Sequence, residues 1–400
     1  MDFATQRQAM VAQLRERQDI SEPVAAAMLA VPRHLFVPGV EPESAYRDEP
    51  IVTRRDAEGR PISSSSQPAI MAIMLDQLGV EPGHRVLEIG AGTGYNAALL
   101  ARLAGPGGRV VSVDIDADIV AEARGHLTAA GSPPVEVVCA DGGLGWPGLA
   151  PYDRLVATVG VWDLAPAWLA QLGPGGRLVV PLDLRGVQVS VAMERDGDRW
   201  VGRSVAPCGF MRMRGPFAGT ELLMVLRRDP DLMLALPAPR ELGDVAAALD
   251  TEPVEVAVPV REPVSPLVLG MGVSLWLALH EPRWCVVTGK LGAGYGATAG
   301  IAERGSIAVL AMDGRPGGGA DGGADGGADG GADNGVVVRG HGPDGRRLAG
   351  ELSAHVRAWE EAGRPEAGDL RVEAYTGPVP VRDGAVVIGK RHTTLVVSLS

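Results

Sequence analysis

The sequence predicts an α/β protein with a doubly wound, largely parallel sheet and a smaller C-terminal α+β unit. Short apolar runs alternate with helical segments from about residue 69 to residue 182, a pattern typical of consecutive βαβ units whose helices cover both faces of a sheet. A glycine-rich turn separates the first run from the next helix. The chain of 400 residues is also longer than a single core usually supports, which indicates more than one folding unit.

The predicted elements follow one another in a regular order. A helix, IMAIMLDQL, precedes the strand RVLEIG, and the helix NAALLARLA precedes the strand RVVSVDI. The remaining elements are the strands VEVVCAD and YDRLVATVG, the helix PAWLAQL and the strand GRLVVPL. Each strand is a short continuous apolar run, as expected when both of its faces are buried. Residues 1–68 instead indicate a helical N-terminal lobe, in which Ser21 and Pro23 are typical of a helix start.

We predict a first domain over residues 1–219 and an α+β extension over residues 220–400, because proline-punctuated segments begin near residue 220. Residues 316–335 repeat Gly, Ala and Asp with a period of four and contain no large apolar residue, which predicts a disordered loop. The flanking runs SIAVLAMDG and GVVVRGHG predict two strands joined by that loop.

Charge and cysteine content exclude several classes of function. With 37 Lys and Arg against 49 Asp and Glu, the net charge of −12 disfavours nonspecific binding to nucleic acid or anionic lipid. The three cysteines lie far apart and predict neither a disulfide framework nor a metal site. The apolar stretch between Arg261 and Glu281 is interrupted by prolines and barely long enough for a bilayer, so no membrane span is predicted. Since the N-terminus lacks the layout of a signal peptide, we expect a cytoplasmic protein.

The glycine-rich turn is the first segment with chemical content. It contains, in order, Glu88, Gly90, Gly92, Thr93, Gly94 and Tyr95. Asp114 ends the next strand, 22 residues after Gly92. Glycine lets the backbone pass under a ligand without a Cβ collision, and an acidic side chain at the end of the second strand can accept both ribose hydroxyls. Nicotinamide-dependent dehydrogenases share this arrangement, so the glycines alone do not name the cofactor.

Two details favour S-adenosylmethionine as the cofactor. The negative charge of Glu88 suits a cationic sulfonium ligand better than a pyrophosphate, which it would repel. Asp141 and Gly142 follow the third strand, where an acidic side chain can bind the adenine amino group. A tight turn without any ligand is the alternative. The predicted cofactor-binding residues are Glu88, Gly90, Gly92, Thr93, Gly94, Tyr95, Asp114, Ile115, Asp141 and Gly142.

Several further blocks resemble the protein-L-isoaspartate O-methyltransferase family and occur in that family's order. They are VPRHLFVP at 31–38, AYRD at 45–48, SSSQP at 64–68, DGGLGWP at 141–147, APYD at 150–153 and PGGRL at 174–178. The resemblance covers roughly residues 5–217. It implies a Rossmann-like methyltransferase domain that transfers a methyl group from S-adenosylmethionine to a peptide carboxylate.

The resemblance also assigns the acceptor side of the site. A carboxylate is already anionic at neutral pH, so its methylation requires positioning rather than a general base. The family's active hydroxyl corresponds to Ser66, which would hold the substrate carboxylate. Ser65, Gln67 and Pro68 are assigned to substrate binding with it. From the residues alone, Ser66 is also typical of a helix N-cap before Pro68.

Two aromatic side chains are further candidates for substrate contact. His34 could face the substrate entrance, although a lone His beside apolar neighbours is more often simply packed. Trp162 follows the fourth strand, where the family has a run of small residues. A Trp at the carboxyl end of a strand lies near the ligand crevice, but a core position is an equal alternative.

About 180 residues extend beyond the usual length of the family's repair enzymes. A similar extension occurs in a subgroup that modifies ribosomal peptides (lanthipeptides, lasso peptides and graspetides) by methylating an Asp whose ester then closes to a succinimide. The segments 208–215 and 390–393 resemble that subgroup. We therefore expect a carboxyl methyltransferase acting on Asp or isoaspartate in a peptide or protein, with a leaning to constrained ribosomal peptides. General isoaspartate repair, small-molecule methylation and a nonenzymatic scaffold are the alternatives. We also hypothesise that the extension recognises the peptide, with packing or dimerisation as the other interpretation.

Overall fold

The computed structural model describes residues 2–57, 59, 61–228, 231–261, 264–291, 294–312, 336–380 and 382–399. The predicted disordered loop at 316–335 lies outside these residues. The α-helices, numbered along the chain, are α1 (Phe3–Arg17), α2 (Glu22–Ala30), α3 (Pro42–Ala45), α4 (Pro68–Leu78), α5 (Tyr95–Ala104), α6 (Ala117–Ala129), α7 (Pro166–Gln171), α8 (Val245–Leu249), α9 (Pro266–His280) and α10 (Gly345–Glu361). Short 3-10 helices span Arg33–Phe36, Gly142–Leu144, Pro147–Leu149 and Ala367–Asp369.

The strands are likewise numbered along the chain. They are β1 (Ile51–Arg55), β2 (Pro61–Ser65), β3 (Arg85–Ile89), β4 (Arg109–Asp114), β5 (Glu136–Cys139), β6 (Tyr152–Ala157), β7 (Leu172–Leu184), β8 (Val187–Asp196), β9 (Arg199–Pro207), β10 (Leu222–Arg228), β11 (Asp231–Leu236), β12 (Val254–Val258), β13 (Trp284–Leu291), β14 (Gly294–Glu303), β15 (Ser306–Met312), β16 (Val336–His341), β17 (Leu370–Tyr375), β18 (Val386–Gly389) and β19 (Thr394–Leu399).

The largest sheet formed by the described residues has ten strands in the order β18-β19-β17-β9-β8-β7-β6-β3-β4-β5. The strands from β3 to β7 pair in parallel, and the remaining neighbours pair antiparallel. Helices α4, α5 and α6 precede β3, β4 and β5, two short 3-10 helices connect β5 to β6, and α7 precedes β7. The predicted α/β fold with a doubly wound sheet is therefore confirmed, and its βαβ elements occur in the predicted order.

The strand order reverses next to β3. The chain passes from β3 to β4 and β5 on one side and then returns to place β6 on the other side. Such a reversal opens a crevice outside the carboxyl ends of the strands, where ligands of open α/β sheets bind. The glycine-rich turn follows β3 directly, and Thr158 N donates to Ile89 O at 2.9 Å, which joins the carboxyl ends of β3 and β6.

The N-terminal lobe supplies one wall of this crevice. Helix α2 begins as predicted, because Ser21 occupies its N-cap position and the Ser21 side chain accepts a hydrogen bond from Val24 N. The lobe packs on the sheet through a core that includes Leu14, Met28 and Phe36. The lobe also contains an antiparallel hairpin, β1 and β2, which the prediction of a helical lobe did not include.

The C-terminal region takes part in both of the larger sheets. Strands β10 to β16 form a seven-stranded sheet, and β15 pairs with β16, which confirms the two strands predicted to flank the glycine-rich repeat. The chain then returns to the first sheet, where β17 pairs with β9. This pairing differs from the predicted division, which assigns residues 370–399 to the extension. Short β-branched runs identify these strands in the sequence but carry no information about their distant partners.

Helix α9 covers most of the apolar stretch noted in the sequence. It is 15 residues long. None of the helices in the described part of the chain combines the length and the apolar character needed to cross a bilayer.

The turn between β18 and β19 binds to the loop after β6 and to the carboxyl end of β7. Lys390 Nζ donates to Asp183 Oδ1 at 3.1 Å, and their side chains are only 2% and 5% exposed. Nearby, the Asp163 carboxylate accepts hydrogen bonds of 2.6 Å from both His392 N and Thr393 Oγ1. The end of the chain is therefore fixed against the rim of the crevice by buried polar contacts.

We expect Lys390→Met to lower the free energy of unfolding by about 3 kcal/mol or more, because losing one partner of a buried ion pair leaves the other charge unpaired. Addition of Asp183→Asn should restore part of this loss. Denaturant unfolding of the full chain measures both effects. Arg339→Met is the control, since it breaks an ion pair with Glu255 whose side chains are 45% and 54% exposed and should cost at most about 1 kcal/mol. Equal losses for the two single variants would contradict the expectation.

Candidate active site

The glycine-rich turn adopts a backbone that only glycine tolerates easily. Gly90, Gly92 and Gly94 have φ angles of 99°, 51° and 85°, in the left-handed region that strains other residues. A Cβ at Gly90 would lie 2.8 Å from Thr158 Oγ1 and 2.9 Å from Val159 Cγ1. At Gly92, by contrast, a Cβ would meet only Ser64 O, at 3.6 Å. The turn is therefore packed against the residues directly after β6 and open toward residues 64–67, which we call the serine loop.

Asp114 is tied to this turn at the end of β4. Its Oδ2 accepts a hydrogen bond of 3.1 Å from Gly92 N, and its Oδ1 accepts one of 3.3 Å from Asp116 N. Ile115, the next residue, exposes its large apolar side chain to the cavity that the turn borders. An acidic and an apolar side chain thus lie side by side at one end of the crevice.

The segment after β5 approaches the same space. Asp141 Oδ1 accepts a hydrogen bond of 2.9 Å from Gly143 N and so caps the short helix that follows. Gly142 O accepts a hydrogen bond of 2.7 Å from Trp168 Nε1. A Cβ at Gly142 would lie 2.6 Å from Ile89 Cγ2. The backbone of Gly142 can therefore line the cavity only because it lacks a side chain.

Glu88 is fully buried on β3 beneath the turn. Its carboxylate accepts hydrogen bonds from Asn96 Nδ2 at 2.8 Å and from Ser112 Oγ at 2.6 Å. Burial raises the pKa of Glu88 to about 7, although the hydrogen bonds from Ser112 and Asn96 oppose the shift. A cation close to this carboxyl group would lower its pKa, because a nearby opposite charge favours the ionised form.

The serine loop is held by residues from two of the earlier sequence blocks. The buried Arg33 guanidinium donates to Ala45 O at 2.8 Å and to Ser66 O at 3.0 Å. It also donates to Arg47 O and Glu49 O. Through these bonds one side chain joins residues 45–49 to the serine loop. Sequence reasoning quoted Arg33 only as part of a block and missed this positioning role.

Asp48 fixes the start of α4 next to Ser66. Its Oδ1 accepts a hydrogen bond of 2.8 Å from Ala69 N, and its backbone O accepts one of 3.1 Å from Gln67 Nε2. Gln67 occupies the N-cap position of α4 without a side-chain capping bond. The alternative that Ser66 serves as the helix N-cap is therefore wrong. Asp48 was likewise missed as a positioning residue in the sequence.

The turn and the serine loop open into one cavity of about 780 Å³. The predicted site residues that line it are Ser65, Ser66, Gln67, Glu88, Gly90, Gly92, Thr93, Tyr95, Asp114, Ile115 and Gly142. Those that do not line it are His34, Pro68, Gly94, Asp141 and Trp162. The structure thus brings the two predicted halves of the site together around a shared space.

Buried polar atoms without partners also border this cavity. Within the described residues, Ser65 Oγ, Tyr95 OH and Asn96 Oδ1 are buried and make no hydrogen bond, and all three residues line the cavity. Buried polar groups are nearly always hydrogen-bonded in folded proteins. Their presence here indicates a polar ligand.

Comparison with known proteins agrees with this geometry. Residues 5–215, more than half of the chain, match the protein-L-isoaspartate(D-aspartate) O-methyltransferase family. The chain belongs to this family. The protein-L-isoaspartate O-methyltransferase of Methanoregula boonei is 41% identical over 194 residues, covering 48% of this chain and 85% of the relative. That of Thermotoga maritima is 34% identical over 243 residues, covering 60% of this chain and 75% of the relative.

A solved protein-L-isoaspartate O-methyltransferase matches the extended architecture. It is 25% identical, with a TM-score of 0.52 over 92% of this chain and 96% of the solved chain. A match of this extent includes most of the region beyond residue 219. The C-terminal extension is therefore shared with a methyltransferase of that name.

His34 and Trp162, two of the predicted substrate contacts, do not line the cavity. The His34 ring stacks on Phe3 with centroids 3.8 Å apart, and its Nδ1 lies 2.8 Å from the Tyr46 hydroxyl. The centroid of the Trp162 ring lies 5.0 Å from Lys390 Nζ in the turn between β18 and β19. The position of Trp162 follows from a backbone hydrogen bond of the residue before it. In the loop after β6, Val161 N donates to Pro181 O of β7 at 2.7 Å. That bond directs Trp162 away from the crevice.

A strap of residues 207–214 lines the cavity, a position that the resemblance of residues 208–215 to the ribosomal-peptide subgroup does not predict. Two backbone hydrogen bonds hold the strap against Gly160. Gly160 N donates to Met211 O at 2.8 Å, and Met213 N donates to Gly160 O at 2.9 Å. Gln188 Oε1 accepts a hydrogen bond of 2.8 Å from Phe210 N. Burial raises the pKa of Cys208, a strap residue, to about 12. This thiol is therefore not a nucleophile at neutral pH.

Metal ligands are not grouped in this site. Among the residues that the structure describes, no set of three or more His, Cys, Asp or Glu side chains is placed to hold a metal ion.

The raised pKa of Glu88 gives a test of its burial. A carboxyl whose pKa rises from 4.5 when unfolded to about 7 when folded favours folding at acidic pH, and this contribution is lost as the pH rises through about 7. Glu88→Gln removes the titration. We therefore expect the melting temperature of the variant, relative to the unaltered protein, to increase by several degrees between about pH 5 and about pH 8.

Thermal melts across this pH range measure the effect in the cofactor-free protein. Glu16→Gln, at an exposed position of α1, is the control and should leave the pH dependence unchanged. A pH-independent difference for Glu88→Gln would show that the buried carboxyl does not titrate in this range.

Proposed function

We propose that the protein transfers the methyl group of S-adenosylmethionine to a carboxylate of an isoaspartyl or aspartyl residue in a peptide or protein. One observation carries the proposal. The glycine-rich turn and the Ser66 loop face each other across a single cavity, so a cofactor on one side can meet an acceptor on the other. The family relatives carry the name of this reaction.

The residues present fit the cofactor. The left-handed turn leaves room above Gly92, and the fixed Asp114 carboxylate retains lone pairs for ribose hydroxyls. Ile115 offers an exposed apolar surface to the adenine. Glu88 supplies negative charge beneath the turn, and the unpartnered Asn96 Oδ1 can accept a hydrogen bond from an ammonium group. Bound there, S-adenosylmethionine supplies an electrophilic methyl group on its sulfonium.

The acceptor side needs donors rather than a base. An ionised carboxylate is itself the nucleophile, so the protein must hold one oxygen in line with the methyl carbon and exclude water. Within the described residues, the Ser66 hydroxyl makes no hydrogen bond, whereas its backbone carbonyl is fixed by Arg33. The Ser65 hydroxyl is buried and also unpartnered. Both hydroxyls can therefore donate to the substrate carboxylate, with Ser66 as the catalytic residue.

We expect Ser66→Ala to lower kcat/KM for an isoaspartyl peptide about 10- to 100-fold, because a hydrogen bond to a charged group contributes about 1.5–3 kcal/mol. Transfer of a labelled methyl group to the peptide measures the rate. Ser66→Thr retains the hydroxyl and should recover most of the activity. Calorimetric affinity for S-adenosylmethionine should not change in either variant. Full activity of Ser66→Ala would remove this residue from the mechanism.

Methylation of an Asp in a constrained ribosomal peptide is an alternative with a narrower substrate class. It rests on the short matches at 208–215 and 390–393. In the structure Arg391 Nη1 donates to Pro216 O, directly after the first segment, at 2.9 Å, and the first segment contributes to the strap. The length of the chain does not favour this alternative, because a solved isoaspartate methyltransferase shares the extension.

Intact-mass analysis separates the alternatives. The full-length protein is incubated with S-adenosylmethionine and either a linear isoaspartyl peptide or a cyclic peptide containing Asp. In both cases the ester can lose methanol when the next backbone nitrogen attacks it, which leaves a succinimide. Methylation of the isoaspartyl peptide alone supports repair, and methylation of the cyclic Asp peptide alone supports peptide maturation. Methylation of neither peptide would contradict the proposed function.

A further inference from the structure

Helix α9 is anchored in two hydrophobic cores at once. Leu275 and Leu279 pack in the core of the ten-stranded sheet, whereas Val273 and Leu277 pack in the core of the seven-stranded sheet. Gly272 lies directly against Trp359 of α10, because a Cβ at this glycine would be 2.6 Å from the indole. Close packing on both sides fixes the position of the helix relative to the active site.

One side chain of this helix reaches the active-site cavity. Met271 lines the cavity and is 45% exposed. It is the sole cavity residue contributed from beyond residue 214 by the part of the chain that the structure describes. Its neighbours Leu269 and Val273 are buried. An apolar side chain that lines a cavity is typical of a ligand-binding site, because such sites are lined mainly by apolar groups.

A second apolar wall belongs to the N-terminal hairpin. Val52 on β1 is 41% exposed and lines the same cavity, together with Pro50, Pro61 and Ile62. Met271 and Val52 come from distant parts of the sequence, yet both border the space into which Ser66 opens. A substrate residue that presents its carboxylate to Ser66 leaves its chain neighbours among these apolar walls.

We propose that Met271 determines substrate specificity by contacting the side chain next to the methylated residue, and that it selects an apolar neighbour there. The inference rests on the proposed peptide carboxyl methylation. A methionine suits this task, because its unbranched thioether adapts to apolar partners of different shape. The occupant is the substrate peptide itself, since the apolar surface is continuous with the cavity that holds the reacting groups.

Matched peptides test the inference. Two linear isoaspartyl peptides carry Leu on both sides of the isoaspartyl residue or Ser on both sides, and methyl transfer gives kcat/KM for each. The unaltered protein should prefer the Leu peptide about 10-fold, a discrimination typical of an apolar pocket. Met271→Ala should lower kcat/KM for the Leu peptide about 10-fold and change the value for the Ser peptide by less than about 2-fold.

Further variants separate a specific contact from a structural effect. Val268→Ala, one helical turn away, removes an apolar group that is 39% exposed but does not line the cavity, and it should keep the preference. Met271→Leu should also keep it, whereas Met271→Gln, of similar length but polar, should lose it. Retention of the preference by both Met271→Ala and Met271→Gln, or an equal loss of activity on both peptides, would overturn the inference.

The outcome distinguishes this inference from the proposed function. Failure of the unaltered protein to methylate either peptide would contradict the proposed function itself. Methylation of both peptides with equal kcat/KM would uphold that function and overturn the role of Met271.

Discussion

The absence of a side chain at Gly90 governs the geometry of the active site. The turn lies where the strand order reverses, and its left-handed backbone packs directly on Thr158 and Val159. Because Gly90 has no Cβ, the turn can lie close to the residues directly after β6 while it opens toward the crevice. Hydrogen bonds from Gly90 N to Val113 O at 2.7 Å and from Gly92 N to Asp114 tie the turn to β4. The position of the Asp114 carboxylate therefore follows from the same constraint.

Buried charges fix the loops that surround this turn. Arg33 lies beneath the serine loop, Glu88 beneath the glycine-rich turn, and Lys390 beside Asp183 at the end of β7. Removal of such charges from water is unfavourable, so these residues are weak sources of net stability. Arg33 and Lys390 instead link segments that are distant in sequence, and the four hydrogen bonds of the Arg33 guanidinium allow few alternative arrangements of the segments that it joins. The active-site loops therefore have a defined geometry although loops are usually mobile.

The sequence predicts the features that depend on local pattern. The βαβ elements follow from apolar periodicity, and the turn at Gly90 follows from its place between a strand and a helix. Contacts between distant segments were not predictable in the same way. His34 packs on Phe3, Trp162 is directed to the C-terminal turn by a bond of Val161, and Met271 enters the cavity from a helix that reads only as apolar. These positions depend on contacts between segments that are distant in the chain, about which the sequence near each residue contains no information.

The C-terminal extension cannot be treated as a module attached to a complete enzyme. Strand β17 pairs with β9, and β19 and β18 continue that sheet. Loss of these strands would leave β9 as an unpaired edge, which is prone to aggregation, and would also remove the partner of Asp183. Deletion of the extension would therefore impair folding together with any role in recognition. Only substitutions at single exposed positions, such as Met271 on a helix anchored in both cores, can separate recognition by the extension from its contribution to the sheet.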